Sequence, residues 1–141
     1  MKQKEIELYK KIVQDTALLS SAEIAKVGAI IVKDRNIISF GYNGTYAGED
    51  NCCEHYVDGV LKSKPNVIHA EKNAIMKVCK SNNSTQDATI FVTHEPCQEC
   101  ASLIALSGIK EVYYINDYVS KNFGSGANTL KQLGIKVNKL D

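Results

Sequence analysis

The sequence predicts a three-layer α/β/α fold, in which helices cover both faces of a central mixed sheet of five strands. Three observations support this. Apolar residues recur at helical spacing near the N-terminus, two β-rich runs around a turn follow, and strands then alternate with helices. Such alternation places later strands parallel, so the sheet is expected to be mixed and largely parallel. With 141 residues and no internal repeat, the chain is predicted to form a single domain, residues 1–141.

The first part of the chain predicts a helix and then a β-hairpin. Apolar residues from Ile6 to Ala17 lie on one helical face, so residues 3–19 are expected to form an amphipathic helix. The hairpin is predicted from two β-rich runs and the turn residues between them, namely 27–33, Asp34-Arg35-Asn36 and 37–42.

Residues 43–66 are rich in Gly, Asn and Asp and are predicted to form a loop, with a short helix near Glu54 to Leu61. A connection of this length in a small domain is usually functional or mobile.

The remaining elements are predicted to alternate between helix and strand. In order they are Ile68–Lys80, Ala88–Thr93, Cys97–Leu106, Glu111–Ile115, Ala127–Leu133 and Ile135–Asn138. Gly108 stands where a helix C-terminus favours a left-handed residue. Cys79, four residues after Ile75 on the same helical face, is expected to be a small core hydrophobe.

Composition excludes several classes of function. The 17 Lys and Arg nearly balance the 16 Asp and Glu, which argues against a nucleic-acid partner because such proteins need a basic face. The longest apolar run, Val27 to Val32, is far too short to span a bilayer, so no membrane partner is expected. The first five residues lack the apolar stretch of a signal peptide. Five clustered cysteines fit reduced, metal-binding thiols, which predicts a cytoplasmic protein (host cytoplasm if the chain is viral).

The most informative motif is His69-Ala70-Glu71 followed by Pro96-Cys97-Gln98-Glu99-Cys100. One imidazole and two thiolates form a three-ligand zinc site with an open fourth position, the arrangement of catalytic sites. H-x-E followed by P-C-x-x-C is also the signature of zinc-dependent nucleobase deaminases. The sequence therefore predicts zinc bound by His69, Cys97 and Cys100.

The spacing of the motif indicates where its residues lie. Residues i and i+2 inside a helix point about 200° apart, so His69 and Glu71 can serve one site only near a helix start. Cys97 and Cys100, three residues apart, share one face of the next helix. Both helices would present their positive N-terminal ends to the metal, which favours thiolate over thiol.

This site predicts hydrolytic deamination. Zinc lowers the pKa of bound water towards 7, which gives hydroxide at neutral pH. Glu71 would act as the general acid–base that moves the proton to the ring nitrogen and then to the leaving amine of a cytosine or adenine. The alternative is a purely structural zinc site. Such a site needs four protein ligands, and the sequence offers no fourth ligand at a natural spacing.

Further motifs narrow the class of zinc-dependent deaminase to one family. The sequence resembles the deoxycytidylate (dCMP) deaminase family, phage and viral members included, between about Lys26 and Tyr118. The stretches that carry this resemblance are Lys26 to Val32, Gly41-Tyr42-Asn43-Gly44, Asn51-Cys52-Cys53, His69-Ala70-Glu71-Lys72-Asn73-Ala74, Thr93 to Cys97 and Ser107-Gly108-Ile109-Lys110.

The resemblance implies a cytidine-deaminase-like fold and conversion of dCMP to dUMP for thymidylate synthesis. It also implies that Asn43 hydrogen-bonds the substrate near its sugar and that Tyr118 lines the nucleotide pocket. Family members are commonly homohexamers that dCTP with Mg²⁺ activates and dTTP inhibits. The corresponding effector residues here would be Asn43, Gly44 and Asn73.

Alternatives to dCMP as the substrate, and to catalysis itself, stay open. The chain could deaminate both dCMP and dCTP. A nucleic-acid-directed cytidine or adenosine deaminase would need basic or aromatic surface to hold an extruded base. The neutral charge, with three Phe, seven Tyr and no Trp, favours a free nucleotide. A non-catalytic regulatory protein is disfavoured because the motif is complete.

Overall fold

The computed structural model describes residues 1–118 and 125–141. Its elements in chain order are α1 Gln3–Ala17, β1 Gly28–Lys33, β2 Asn36–Tyr42, β3 Glu54–Val57, β4 Val60–Ser63, α2 Ala70–Cys79, β5 Thr89–His94, α3 Gln98–Leu106, β6 Glu111–Asn116, α4 Ala127–Gln132 and β7 Lys136–Lys139. Outside residues 43–66, every predicted helix and strand is present, and each boundary lies within two residues of its prediction.

The central sheet has five strands, as predicted, and their order is β2-β1-β5-β6-β7. β1 runs antiparallel to both β2 and β5, whereas β5, β6 and β7 are parallel. The sheet is therefore mixed, but it is less parallel than the sequence suggested. Asp34 and Arg35 form the turn between β1 and β2, and both have left-handed backbone angles (φ 50° and 66°). Two such residues give the turn a twist that matches the strands it joins.

Helices cover both faces of this sheet, which confirms the three layers. On one face, Tyr9 and Val13 of α1 pack against Ile30, Phe91 and Tyr113. The other face carries α2, α3 and α4 over a larger core, whose members include Ala74, Ile75, Ile90, Val92, Ile104, Val112 and Leu130.

Two glycines let the helices approach the hairpin closely. A Cβ on Gly28 would lie 2.7 Å from the backbone of Val13 and Ala17 in α1. A Cβ on Gly41 would lie 2.6 Å from the amide nitrogen of Ala74 in α2. Any larger residue at these positions would push a helix away from the sheet, because side-chain carbons do not approach backbone atoms this closely.

The helix predicted near Glu54 to Leu61 is wrong. The segment forms a two-stranded hairpin, β3 and β4, around Asp58 (φ 52°) and Gly59 (φ 79°). Asp-Gly is a favoured pair for such a turn, since both positions need positive φ. This local turn preference overrides the weak helical pattern of the segment.

The prediction for Cys79 is also wrong. The inward face of α2 runs through Ala74, Ile75 and Val78, whereas Cys79, the last residue of the helix, is exposed. In the two ranges that the structure covers, no helix is long and apolar enough to cross a membrane.

Candidate active site

Three side chains of metal-binding type meet where α2 and α3 begin. His69 is the N-cap residue of α2, Cys97 is the N-cap residue of α3, and Cys100 lies in the first turn of α3. His69 Nδ1 lies 3.5 Å from Cys97 Sγ and 3.4 Å from Cys100 Sγ. The structure thus brings together the three residues that the sequence predicts to bind zinc.

These separations fit a tetrahedral zinc ion. Bonds of about 2.0 Å to nitrogen and 2.3 Å to sulfur place the two ligand atoms about 3.5 Å apart. Within the described ranges, the cluster contains no fourth His, Cys, Asp or Glu. A structural zinc site is closed by four protein ligands, so this arrangement favours a catalytic site.

The surroundings of the cluster favour thiolate at Cys97. Its sulfur accepts a hydrogen bond from the backbone N–H of Cys100 at 3.5 Å. Hydrogen bonds from the Cys100 side chain and from His69 lower the pKa of the Cys97 thiol, although burial opposes them. The hydrogen bond to Cys97 in turn raises the pKa of His69. A metal ion would replace the protons that these three groups share.

Glu71 is a buried carboxyl beside this cluster. It lies in the first turn of α2, two residues after His69, and is 4% exposed. Burial raises the pKa of Glu71 to about 7, while a backbone hydrogen bond and the nearby His69 oppose the shift. A carboxyl that titrates near neutral pH can both accept and return a proton, which is what general acid–base catalysis requires.

The start of α4 holds the loop that carries Cys97. The N–H of Gly126 donates to the carbonyl of Pro96 at 2.8 Å, and Ser125 forms a β-bridge with Cys97. A Cβ on Gly126 would lie 2.6 Å from both Cys97 O and Ala101 Cβ. Only glycine fits at this contact.

A concave region with a volume of about 680 Å³, which we call the α2 cavity, lies between α2 and the loop that follows β2. Asn43, Gly44 and Asn73, the residues predicted as effector contacts, all line it, together with Lys77 and Lys80. The Lys77 ammonium donates to the Phe40 carbonyl at 2.8 Å and lies 4.3 Å from the centre of that ring. Burial and the charge of Lys80 lower the pKa of Lys77.

Gly44 connects the α2 cavity to the metal cluster. Gly44 and Ile68 exchange two backbone hydrogen bonds, of 3.1 Å and 2.8 Å. Ile68 directly precedes His69. A change in the position of Gly44 would therefore reach His69 through a single residue.

The side chains of the two asparagines predicted to contact nucleotides form hydrogen bonds with the backbone. The Asn43 side chain accepts from the Val27 N–H at 2.9 Å and donates to the Ala25 carbonyl at 2.8 Å. Asn73 donates to the Tyr42 carbonyl at 2.9 Å. Tyr118 is half-buried two residues after β6. The nucleotide contacts of Asn43 and Tyr118 stay predictions.

Sequence reasoning missed other residues around these sites. Leu19, Asn51 and Met76 also line the α2 cavity. Glu54 is buried, and its carboxylate accepts from the backbone N–H groups of Glu23 and Ile24 at 3.0 and 3.2 Å, which ties the 43–66 segment to the chain before β1. No sequence signal marks Glu54, because it stands among other polar residues.

Comparisons with known proteins agree with this geometry. The family model for the cytidine and deoxycytidylate deaminase zinc-binding region matches residues 3–116. The chain is 37% identical to ComE operon protein 2 of Bacillus subtilis (strain 168), over 89% of this chain and 65% of that protein. It is 35% identical to deoxycytidylate deaminase of Enterobacteria phage T4, over 79% of this chain and 77% of the phage protein.

A solved structure gives the same picture. The dCMP deaminase of cyanophage S-TIM5, in complex with dCMP and dUMP, superposes with a TM-score of 0.90 at 40% identity and 99% coverage of both chains. These matches confirm the resemblance inferred from the motifs. The chain therefore belongs to the cytidine and deoxycytidylate deaminase family.

Proposed function

We propose that this protein hydrolytically deaminates dCMP to dUMP. The observation that carries the proposal is the buried Glu71 beside a His69, Cys97 and Cys100 cluster that leaves one metal position open. The choice of dCMP is supported by the relatives named deoxycytidylate deaminase and by the cyanophage enzyme that was solved with dCMP and dUMP.

In this proposal His69, Cys97 and Cys100 hold zinc, and Glu71 moves the protons. Bound zinc would supply the Lewis acidity that lets water ionise near neutral pH. The Glu71 carboxylate accepts a proton from the attacking water and delivers it to N3 of the cytosine ring. A second proton passes through Glu71 to the amine, which leaves C4 as ammonia. One water is consumed, the C4–N bond breaks and a C4–O bond forms.

Two residues are proposed to hold the rest of the nucleotide. Asn43 would hydrogen-bond the substrate near the sugar, using the amide hydrogen and the oxygen lone pair that Val27 and Ala25 leave available. Tyr118, half-buried after β6, would line the pocket. Binding these parts of the substrate before reaction lowers the entropy cost of the chemical step.

The α2 cavity is proposed to bind a regulatory triphosphate, with Mg²⁺, in a homohexamer. Asn43, Gly44 and Asn73 line this cavity. The backbone of Gly44 is hydrogen-bonded to that of Ile68, the residue before His69. dCTP would activate and dTTP would inhibit, provided that each binds a different state of the Gly44 loop more tightly.

Turnover of several substrates tests the catalytic proposal. Ammonia release should be efficient from dCMP and much weaker from deoxycytidine and from an RNA hairpin, while activity on dCTP would indicate a dual enzyme. Glu71→Gln should lower kcat by about 10²–10⁴-fold or more with zinc retained. Glu99→Gln, which removes an exposed carboxylate from the first turn of α3, is the matched control and should keep normal activity. Equal kcat/KM for dCMP and deoxycytidine would contradict the proposed substrate.

Regulation is tested separately. A dCMP saturation curve should shift to lower substrate concentration with dCTP and Mg²⁺ and to higher concentration with dTTP. Light scattering should give the mass of a hexamer. A hyperbolic curve indifferent to both triphosphates, from a monomeric protein, would refute the regulatory proposal and leave the catalytic one standing.

A further inference from the structure

His94, at the end of β5, has no part in the mechanism above. Along this strand, Ile90 and Val92 belong to the core under α2 and α3, whereas Phe91 packs towards α1. Alternate residues of a strand point to the same face, so His94 lies on the α2 and α3 face. It precedes Cys97 by three residues and therefore stands at the same end of that face as the metal cluster.

His94 also belongs to a row of polar side chains across the end of the sheet. It is in register with Asn116 on β6. The register of β1 with β5, continued by two residues, places Val27 opposite His94. Val27 in turn donates its N–H to the side chain of Asn43. His94 thus lies between Asn116 and the residue proposed to contact the sugar of the substrate.

A chain of hydrogen bonds sets the tautomer of His94. The Gly28 N–H donates to Thr93 Oγ1 at 3.0 Å, and Thr93 Oγ1 lies 2.9 Å from His94 Nδ1. Thr93 is buried, so its hydroxyl hydrogen needs an acceptor, and in the described residues Nδ1 is the partner that it reaches. Burial also lowers the pKa of His94, which favours the neutral ring. The ring proton then resides on Nε2.

We propose that His94 donates its Nε2–H to an oxygen of the sugar–phosphate part of the bound nucleotide, as a further substrate-binding residue. This inference rests on the proposed deaminase function. In residues 1–118 and 125–141, the hydrogen bond recorded for the half-buried His94 ring is the one at Nδ1, so the Nε2–H is available to a bound ligand. For reaction, the edge of the base that carries the amine must face the metal cluster and Glu71. The oxygen atoms that Asn43 and His94 can then reach are those of the sugar and the phosphate.

Two variants of His94 separate binding from structure. His94→Leu removes the donor, and His94→Gln keeps an amide N–H near the position of Nε2. We expect His94→Leu to raise KM for dCMP about ten-fold, the effect of one lost hydrogen bond, with kcat and zinc content near wild type. His94→Gln should recover part of the loss. If the phosphate is the acceptor, His94→Leu leaves kcat/KM for deoxycytidine unchanged. If the sugar is the acceptor, His94→Leu lowers kcat/KM for both dCMP and deoxycytidine.

NMR of ¹⁵N-labelled imidazoles in the wild-type protein provides a second test that needs no variant. The protonated nitrogen of His94 should be Nε2, and its resonance should shift when dUMP is added. A KM within two-fold of wild type in His94→Leu would overturn the inference. A proton on Nδ1, or no shift with dUMP, would also overturn it. Failure of the wild type to turn over dCMP would refute the deaminase proposal instead, while the dUMP titration would still decide the role of His94.

Discussion

Replacing Gly126 by alanine tests how strongly the start of α4 controls the metal loop. The backbone angles at Gly126 (φ −100°, ψ −6°) suit alanine, so the cost would be steric. The new Cβ would lie 2.6 Å from Ala101 Cβ, 2.6 Å from Cys97 O and 2.8 Å from Pro96 O. Carbon atoms pack best at about 3.5–4.0 Å, so the methyl group sits about 1 Å too close to Ala101.

Relief of this overlap must move either α3 or the loop that carries Cys97. Overpacking typically costs about 1–3 kcal/mol, and because two of the three neighbours are backbone carbonyls we expect about 3 kcal/mol. For a chain of this length that corresponds to a fall in Tm of about 10 °C. Displacing Cys97 should also weaken zinc binding by the folded protein, by about ten-fold or more. Urea unfolding of the metal-free protein and chelator competition for zinc measure the two effects separately.

Two other glycines provide matched controls. A Cβ on Gly28 would be 2.7 Å from the backbone of α1, away from the metal loop, so Gly28→Ala should lose similar stability while its folded form keeps its zinc affinity. A Cβ on Gly44 would meet nothing within 4 Å, so Gly44→Ala should change stability by less than about 0.5 kcal/mol. The reasoning is wrong if Gly126→Ala is as stable as Gly44→Ala, or if its zinc affinity equals that of Gly28→Ala.

Three further predictions concern other contacts. Cys97→Ala or Cys100→Ala should reduce zinc from about one per chain to nearly none by elemental analysis and lower Tm, since metal binding is coupled to folding. Glu54→Ala should cost about 2–3 kcal/mol in urea unfolding, because it removes two hydrogen bonds to a charged acceptor, and Glu54→Gln should cost less, because glutamine keeps an acceptor for the N–H groups of Glu23 and Ile24. Gly59→Ala, at φ 79°, should speed hydrogen exchange only within residues 54–63, and a matching loss of global stability would contradict this.

The metal cluster could be predicted from the sequence because its signals are local. The spacing of His69 and Glu71 requires a helix start, and the structure has α2 begin at Ala70. Cys97 and Cys100 are one helical turn apart, so a single first turn brings both to the metal. Strand and helix periodicity likewise located the five-stranded sheet.

What could not be predicted depends on contacts between distant segments. The antiparallel pairing of β1 with β5 joins residues about sixty positions apart, and nothing within β1 reveals its partner. The α2 cavity is formed by residues near 19, 43–51, 68 and 73–80, so only the folded chain shows that they share one wall. The helix predicted near Glu54 to Leu61, where the structure has a hairpin, has a different cause. Asp58-Gly59 is a local turn signal, but the polar composition of the segment obscured it.

The β3–β4 hairpin has an evolutionary consequence. Its base is closed by the hydrogen bond from Lys64 N–H to Cys53 O at 2.8 Å, and Tyr56 within β3 is 76% exposed. Residues added at the Asp58-Gly59 tip would extend into solvent without shifting the strands and helix starts that set the metal cluster. Descendants of this chain can therefore gain or lose length here while conserving their chemistry, and a protein engineer can insert a reporter peptide at the same position.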